Sequence, residues 1–539
     1  MEPSSDAVSL REPIANLVNE RRLKDAMDLC ESARSAFPLD PWLATMQAYL
    51  FLTLGESQKA SLAATDALSL GSEDPLAVLV LGVAHRNRGR HAAAAEALLT
   101  ASRLWPDRLD AATMAIEETV IAHGFDAARP VFEEVFARLP DHALEVLWGT
   151  LLFDADLHAD MPPGVVSAPL MSVPAWLARA GSAPAFAGVR ETILLEEPPV
   201  FGDPPSDLPK TSLPGYVPYA CTLPGATIFA KSSLVLMPDG SALNDTITDE
   251  RFGRFIDIPY DTAVLRRDDE RVLLDVGKYR IEEIEAGVML SGWASEHFGH
   301  WVPEYLARLS YLERHPRFAE LPIIVDSDMP DQHLEYLSLL VPNRIVRIPP
   351  DGALRCGELV VGSPSTFFPV LLTADHQVPE ENQGGVPTHS LRFIQERIER
   401  RLPPPAVQDR KLYLSRRSRA WRLLLNEDEI SAALAARGFE VLLPEEMTFE
   451  EQVRMFQSAK VVVAPSGSSV LNAMFAAKDA KLIVLSQRGL FTWGTFYAPM
   501  RELGFDMTFV CSDEETGEKH SNYAIPLATL LAAIEAPAG

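Results

Sequence analysis

KVVVAPSGSSVLNAMF, residues 460–475, decides how the C-terminal part of this chain is read. Three consecutive valines predict a strand buried on both faces, because β-branched side chains fit a covered pleated sheet. Ala464-Pro465 ends it. Ser466-Gly467-Ser468-Ser469 predicts a tight turn, and SVLNAMFAA predicts a helix with a serine at its N-cap. Strand, turn and helix in that order form the building unit of a Rossmann-like sheet. Backbone N–H groups and the positive end of the helix dipole leave such a turn pointing outward, which suits a diphosphate. An ordinary strand–helix loop with a serine cap accounts for the same residues without a ligand.

The same alternation extends in both directions. KLIVLS follows as a strand, and TFEEQVRMFQSA, FEVLLP, NEDEISAALAARG and KLYLSR precede it as helix, strand, helix and strand. Beyond a polar, proline-bearing gap near 373–389, the strands LPIIV, RIVRI and ELVVG surround the helix DQHLEYLSLL. Two alternating blocks separated by a gap predict two Rossmann-like halves facing a cleft, with ligand at the strand carboxyl ends. Further upstream the period drops to two. ATIFAKSSLVLMPDGSAL predicts a small hairpin turning at Pro238-Asp239-Gly240, and RVLLDV and GVMLSG predict further strands. Residues 161–218 hold twelve prolines, which predicts an extended connector with a short helix near Ala175–Ala180.

The front of the chain is periodic on another scale. Ala26, Ala60, Ala94 and Ala128 recur every 34 residues, as do Ala33, Ala67, Ala101 and Val135. Gly55 and Gly89 keep the same spacing, as do Pro106 and Pro140. The unit LGVAHRNRGRHAAAAEALLTASRLWP, residues 81–106, resembles the tetratricopeptide (TPR) pattern at Leu81-Gly82, Gly89, Ala94, Leu98, Ala101 and Pro106. Four helix pairs over about residues 8–150 follow, stacked into a short superhelix with a groove. The expected fold is therefore α plus α/β. The domains are a repeat array at 1–155, a connector at 156–222, and two α/β halves at 223–395 and 396–539.

Composition narrows the function classes. The 539 residues are 47% hydrophobic and 23% charged, an ordinary globular mixture. The formal charge is −27. A polyanion of that size repels nucleic acid and anionic lipid, so a phosphate-bearing ligand needs a local basic cluster. Cys30, Cys221, Cys356 and Cys511 form no CxxC pair, and reduced thiols in a cytoplasmic protein are expected. No apolar run is long enough to cross a bilayer, and no secretory signal is expected.

Two further segments carry chemistry. DRKLYLSRRSRAWR, residues 409–422, sets Arg416, Arg417, Arg419 and Arg422 just after a strand. Guanidinium groups neutralise phosphate and hydrogen-bond it in pairs. A solvated basic loop is the plain alternative. ASEHFGHWVPEYLARLSYLERH, residues 294–315, predicts a helix starting near His300, with Pro303 in its first turn. Tyr305, Leu309 and Leu312 fall on its core face, and His300, Glu304 and Arg308 form a polar stripe. A histidine and a carboxylate one turn apart can share a proton for general-base work. A Glu304–Arg308 surface pair with a capping His300 explains the same spacing structurally.

In this order the three segments resemble glycosyltransferase family 61, once called DUF563. HFGHWVPEYLARL is similar to its HxYHWLLExLPRL motif and KLYLSRRSRAWRLLLNEDE to its xxxISRRxSxxRxxxNEDE motif. PEEMTFEEQVRMFQSAKVVVAPSGSSVLNAMF is similar to its PExLSFxEQVxLFxxAxVVVGPHGAGLTNLLF motif. The resemblance covers roughly residues 225–510. It implies a GT-B fold, with the acceptor on the first half and a nucleotide sugar on the second. It also implies inverting transfer with no metal or other cofactor. By the same resemblance His300 and Glu304 are the catalytic pair, with His297 in reserve. Ser415, Arg416, Arg417, Asn426, Glu446, Ser466, Gly467, Ser468, Ser469 and Asn472 bind the donor, Glu446 at the ribose hydroxyls. This chain has Ser466 where the family usually has histidine, and Ser468-Ser469 where it has Ala-Gly.

The partners expected are a nucleotide sugar, a polysaccharide or protein acceptor, and a protein held in the TPR groove, with self-association as a further reading. Nucleic acid and an integral membrane segment are not expected. The location expected is cytoplasmic, peripheral to a membrane-bound assembly complex. Three rival readings compete. Asp326-Ser327-Asp328 mimics a metal-binding DxD motif. Ser466 with His520 mimics a hydrolase nucleophile. The third makes the repeats a scaffold carrying an inactive transferase domain.

Overall fold

The computed structural model describes residues 5–203, 211–246, 261–366, 385–417, 422–488, 494–515 and 521–537. Two compact units emerge. One comprises Met1–Ser167 with Asp275–Gly277, the other Ala168–Leu274 with Lys278–Gly539.

The first unit is TPR-like. Its second-of-pair helices, Leu23–Ala36, Ser57–Ser69, His91–Leu104 and Phe125–Arg138, begin 34 residues apart. They alternate with Arg11–Asn19, Pro41–Thr53, Pro75–Arg86 and Leu109–His123, and His142–Asp154 follows as an unpaired closing helix. Asp40 and Asp74 cap two of these helices by accepting from Leu43 N and Leu76 N, each followed by a proline at the first helical position. Small residues set the helix spacing. Ala26, Ala60, Ala94 and Ala128 are fully buried, and a Cβ on Gly82 would stand 2.7 Å from Leu98 Cγ. The helices stop just before Pro106 and Pro140.

The second unit is a mixed α/β domain built on two sheets. Four parallel strands, in the order Ile345–Ile348, Ile323–Asp326, Arg280–Met289 and Gly352–Gly362, form the heart of the first. The sheet is mixed and reaches twelve strands among the described residues, because the segments from 219 to 243 are joined by tight turns that leave no room for a crossover helix. The expected hairpin is present: Val235–Leu236 pairs antiparallel with Ala242–Leu243 around Gly240, whose φ is +83°. It is part of the large sheet rather than a separate entry module. The proline-rich stretch also differs from a free connector. Phe186–Ala187 pairs with Tyr219–Pro224, Leu170 and Met171 pair with Ala242 and Leu243, and Thr192–Leu195 pairs with Thr211–Pro214.

The second sheet is wholly parallel. Its order is Glu440–Leu442, Arg410–Leu414, Ala459–Pro465, Lys481–Arg488, Asp506–Glu515. Numbered along the chain this is 2-1-3-4-5, so the direction of winding reverses between Arg410–Leu414 and Ala459–Pro465. One apolar core runs under both sheets, from Val288 and Trp301 to Val462 and Phe475. Tyr336 of the helix Asp331–Leu340 stacks on Phe449 of the helix Phe449–Gln457 at 3.7 Å. The four thiols are buried, Cys30 in the repeats, Cys221 and Cys356 in the first sheet and Cys511 in the second.

Candidate active site

In open α/β sheets a ligand crevice forms at the strand carboxyl ends where the winding direction reverses. Here those ends are Leu414 and Pro465, and the residues that follow them meet. Arg416 Nη1 donates to the carbonyl oxygen of Ser466. A Cβ on Gly467 would stand 2.8 Å from the same guanidinium nitrogen, so glycine there lets Arg416 lie across the turn. Glu427 holds the arginine loop from beneath. Its buried Oε1 accepts from Tyr413 Oη at 3.1 Å, Ser415 Oγ at 2.6 Å and Arg416 N at 3.1 Å.

The two neighbouring arginines part company. Arg417 turns outward to Ser431 Oγ at 2.8 Å and Asp428 at 2.7 Å. Arg422, in left-handed backbone with φ +54°, is the cation that accompanies Arg416. Burial lowers its pKa to about 10, and the charge on Arg416 adds to the effect. Tyr523 joins them from the far end of the chain. Its hydroxyl donates to Leu485 O at 3.0 Å and is hydrogen-bonded by Ser466. Burial raises Tyr523 to about 12, against the pull of Arg416 and Arg422. Arg419 and His520 lie outside the described residues.

The segment after the turn differs from expectation. Ser468–Phe475 is a 3-10 helix capped by Gly467 with no side-chain hydrogen bond, and Val470 N reaches Gly467 O. Ser466 is buried, while Ser468 and Ser469 are half-buried at the mouth of the turn. Asn472 is fully buried and donates to Gln452 Oε1 at 2.9 Å, so it braces the turn from behind. Asn426 clamps residue 525, donating to its carbonyl at 2.9 Å and accepting from its N–H at 3.1 Å. That clamp delivers Tyr523. Glu446 is exposed at the end of a short 3-10 turn.

Against this turn stands the His300 segment. A Cβ on Gly299 would lie 3.3 Å from Ser468 Cβ. The segment is not the regular helix expected. Phe298–His300 is one α turn, Trp301–Tyr305 a π turn, Leu306–Arg308 a 3-10 turn and Leu309–Leu312 an α turn. Pro303 has no N–H to give, so the i→i−4 ladder breaks there and the winding changes. Tyr305, Leu309 and Leu312 are buried as expected. Glu304 is not a surface partner, being only 2% exposed. His300 Nδ1 donates to its Oε1 at 2.7 Å. A carboxylate only accepts, so Nδ1 carries the proton, and in the neutral imidazole Nε2 keeps the lone pair. His297 is exposed, its ring 6.2 Å from that of His300.

The acidic pair after LPIIV has other work. Buried Asp326 accepts from Gly292 N, Ser295 Oγ and Lys231 N at 3.0, 2.7 and 2.8 Å. Asp328 pairs with Lys231 Nζ at 2.6 Å. Asp326 thereby pins the loop that leads into the His300 segment.

A family model described as Glycosyltransferase 61 matches residues 298–483, from the His300 segment into the strand Lys481–Arg488. Over this stretch the chain is similar to the glycosyltransferase 61 family. The matched stretch contains His300, Glu304, Arg416, Arg417, Arg422, Glu427 and the 466–469 turn, whereas Tyr523 lies beyond the matched residues. Solved structures align with the helical repeats. The first TPR of Spaghetti (RPAP3) bound to the HSP90 peptide SRMEEVD is 19% identical with a TM-score of 0.21, covering 22% of this chain and 94% of its own. YrrB, a TPR protein with an unusual peptide-binding site, is 15% identical with a TM-score of 0.26, covering 28% and 79%. MamA from Desulfovibrio magneticus RS-1 is 13% identical with a TM-score of 0.26, covering 29% and 88%. Comparison with curated proteins gives no match. No helix among the described residues is long and apolar enough to cross a membrane.

Proposed function

We propose that the domain carrying this stretch moves a sugar from a nucleotide-sugar donor to a hydroxyl of a polysaccharide or protein acceptor. In this reading the two sheets are the halves of a GT-B enzyme, transfer inverts the anomeric centre, and no metal takes part. The repeats recruit the acceptor or a partner protein, on the cytoplasmic side of an assembly complex. The observation that carries the reading is the approach of Gly299 to Ser468, which sets the His300–Glu304 dyad beside the turn that Arg416 crosses.

His300 Nε2 takes the proton of the acceptor hydroxyl, and the oxygen attacks the anomeric carbon. The bond from that carbon to the donor phosphate breaks, and the phosphate leaves with the electron pair. Arg416, Arg422 and the N–H groups of the 466–469 turn meet the charge. Buried Glu304 steadies the imidazolium until its proton is lost to solvent. The family histidine is replaced by Ser466, and the cationic role falls to Arg416, which already rests on the serine carbonyl.

The Ser466 replacement also favours the second reading, a scaffold with an inactive domain. Thermal-shift titration with UDP-, GDP- and CMP-linked sugars in EDTA separates the two. Stabilisation and acceptor-dependent consumption of one donor are expected. Neither effect with any donor would leave the scaffold.

A further inference from the structure

Residues 522–525 lie beyond the matched stretch, yet they run beside the arginine loop as an added edge. Leu424 and Tyr523 form a parallel bridge. Leu423 N donates to Asn522 Oδ1 at 2.9 Å, Tyr523 N to Leu423 O at 3.0 Å and Leu425 N to Tyr523 O at 2.7 Å. The Asn426 amide closes this run at Ile525. Arg422 stands immediately before the stitched residues, so this C-terminal arm holds the backbone that presents it.

The side chain of Tyr523 acts on the other cation. Ser466 is fixed at each of its polar groups. Its N–H donates to Leu485 O at 2.7 Å, its hydroxyl to Tyr523 Oη, and its carbonyl accepts from Arg416 Nη1. Tyr523 Oη in turn donates to Leu485 O at 3.0 Å. All of this is buried, where hydrogen bonds meet little competition from water. The charges on Arg416 and Arg422 oppose one another, so they spread apart unless the framework holds them. The buried Nε of Arg422 has no hydrogen-bond partner among the described residues, and such a donor suits an anionic acceptor.

We infer that Tyr523 is a positioning residue for the departing phosphate: its hydroxyl fixes Arg416 through Ser466, and its backbone fixes Arg422. The inference rests on the transferase reading and deepens it. Both guanidinium groups are then aimed before the donor arrives, which spares their reorganisation during the reaction. The phosphate site is complete only with residues outside the matched stretch.

The test is calorimetric titration of inorganic pyrophosphate into the full-length protein. Wild type should bind it. Tyr523→Phe keeps the ring and removes only the hydroxyl, so Tm should fall by no more than about 4 °C, while affinity falls roughly tenfold. Arg416→Ala should weaken binding at least as much. Adding Tyr523→Phe to Arg416→Ala should cost nothing more, because the hydroxyl acts through that guanidinium. Asn426→Ala frees the arm and should weaken binding even without Arg416, through Arg422. Unchanged affinity in Tyr523→Phe or in Asn426→Ala overturns the inference. So do losses that add in the double variant, the mark of general loosening. No binding by wild type removes the phosphate site and the transferase together. Nucleotide-sugar consumption by the same proteins separates the two claims. Tyr523-dependent pyrophosphate binding without consumption keeps the positioning role and removes the transferase, whereas consumption undiminished in Tyr523→Phe does the reverse.

Discussion

Arg416 and Arg417 are adjacent in sequence and opposite in use. Arg416 lies on the Ser466 carbonyl, where a leaving phosphate needs charge, so Arg416→Ala should lower turnover by about 10²–10³. Arg417 sits in an exposed pair with Asp428, worth about 0.2–1 kcal/mol, so Arg417→Ala should lower turnover about fivefold at most. Steady-state donor kinetics on the two variants check both figures, and equal losses would contradict the placement. Glu304→Gln keeps a hydrogen-bonding group beside His300 but removes the charge that steadies its imidazolium. Turnover should fall by about 10²–10⁴ with donor KM little changed. The paired arginines, the histidine and the glutamate were readable because each stands at a set distance from a strand or helix end. The direction of each arginine was not, since it depends on Asp428, Ser431 and Gly467. Tyr523 left no local signal, because its position follows from an amide clamp between residues 99 apart in sequence.

At the level of elements, the 34-residue series needed nothing beyond alanine counting, because close helix packing admits only small side chains at those places. Four of the five parallel strands between 410 and 515, KLYLSR, FEVLLP, KVVVAP and KLIVLS, were equally plain as short apolar runs between helical segments, whereas the fifth, Asp506–Glu515, was not read. Departures came where a single residue alters local winding, as Pro303 does in the π turn and uncapped Gly467 in the 3-10 helix. The proline-rich segment misled for a different reason: its strands are too short to show a period and are fixed by partners elsewhere in the chain. One element contact yields a pH prediction. His142 sits between Glu145 at 3.0 Å and Asp275 at 2.7 Å. Burial pulls its pKa down, but the hydrogen bonds to Glu145 and Asp275 outweigh that and raise it. The folded value lies above the unfolded one of ~6.5. The stabilisation is therefore complete below ~pH 6.5 and is lost as pH climbs through the folded pKa. Melting curves of the first unit should show Tm falling over that rise, and His142→Asn should flatten the slope.

The whole molecule carries a charge of −27 and, in the proposed reaction, must admit an anionic donor. Distant repulsion is screened by salt, while the contacts of half-buried Arg416 and Arg422 are screened far less. Raising ionic strength from ~0.01 to ~0.15 M shortens the Debye length from ~30 to ~8 Å. The association rate of a nucleoside diphosphate should therefore rise, the reverse of the trend for a basic protein. Stopped-flow binding over that range tests the sign. The four sealed sulfurs have a practical use at the same scale. Burial pushes Cys30, Cys221 and Cys356 to about 12, and Cys511 is sealed as well. An alkylating pulse should thus mark each one only while its own layer is open. Followed by mass spectrometry during denaturation, they form a native set of clocks that times the opening of repeats, first sheet and second sheet separately, with no reporter introduced.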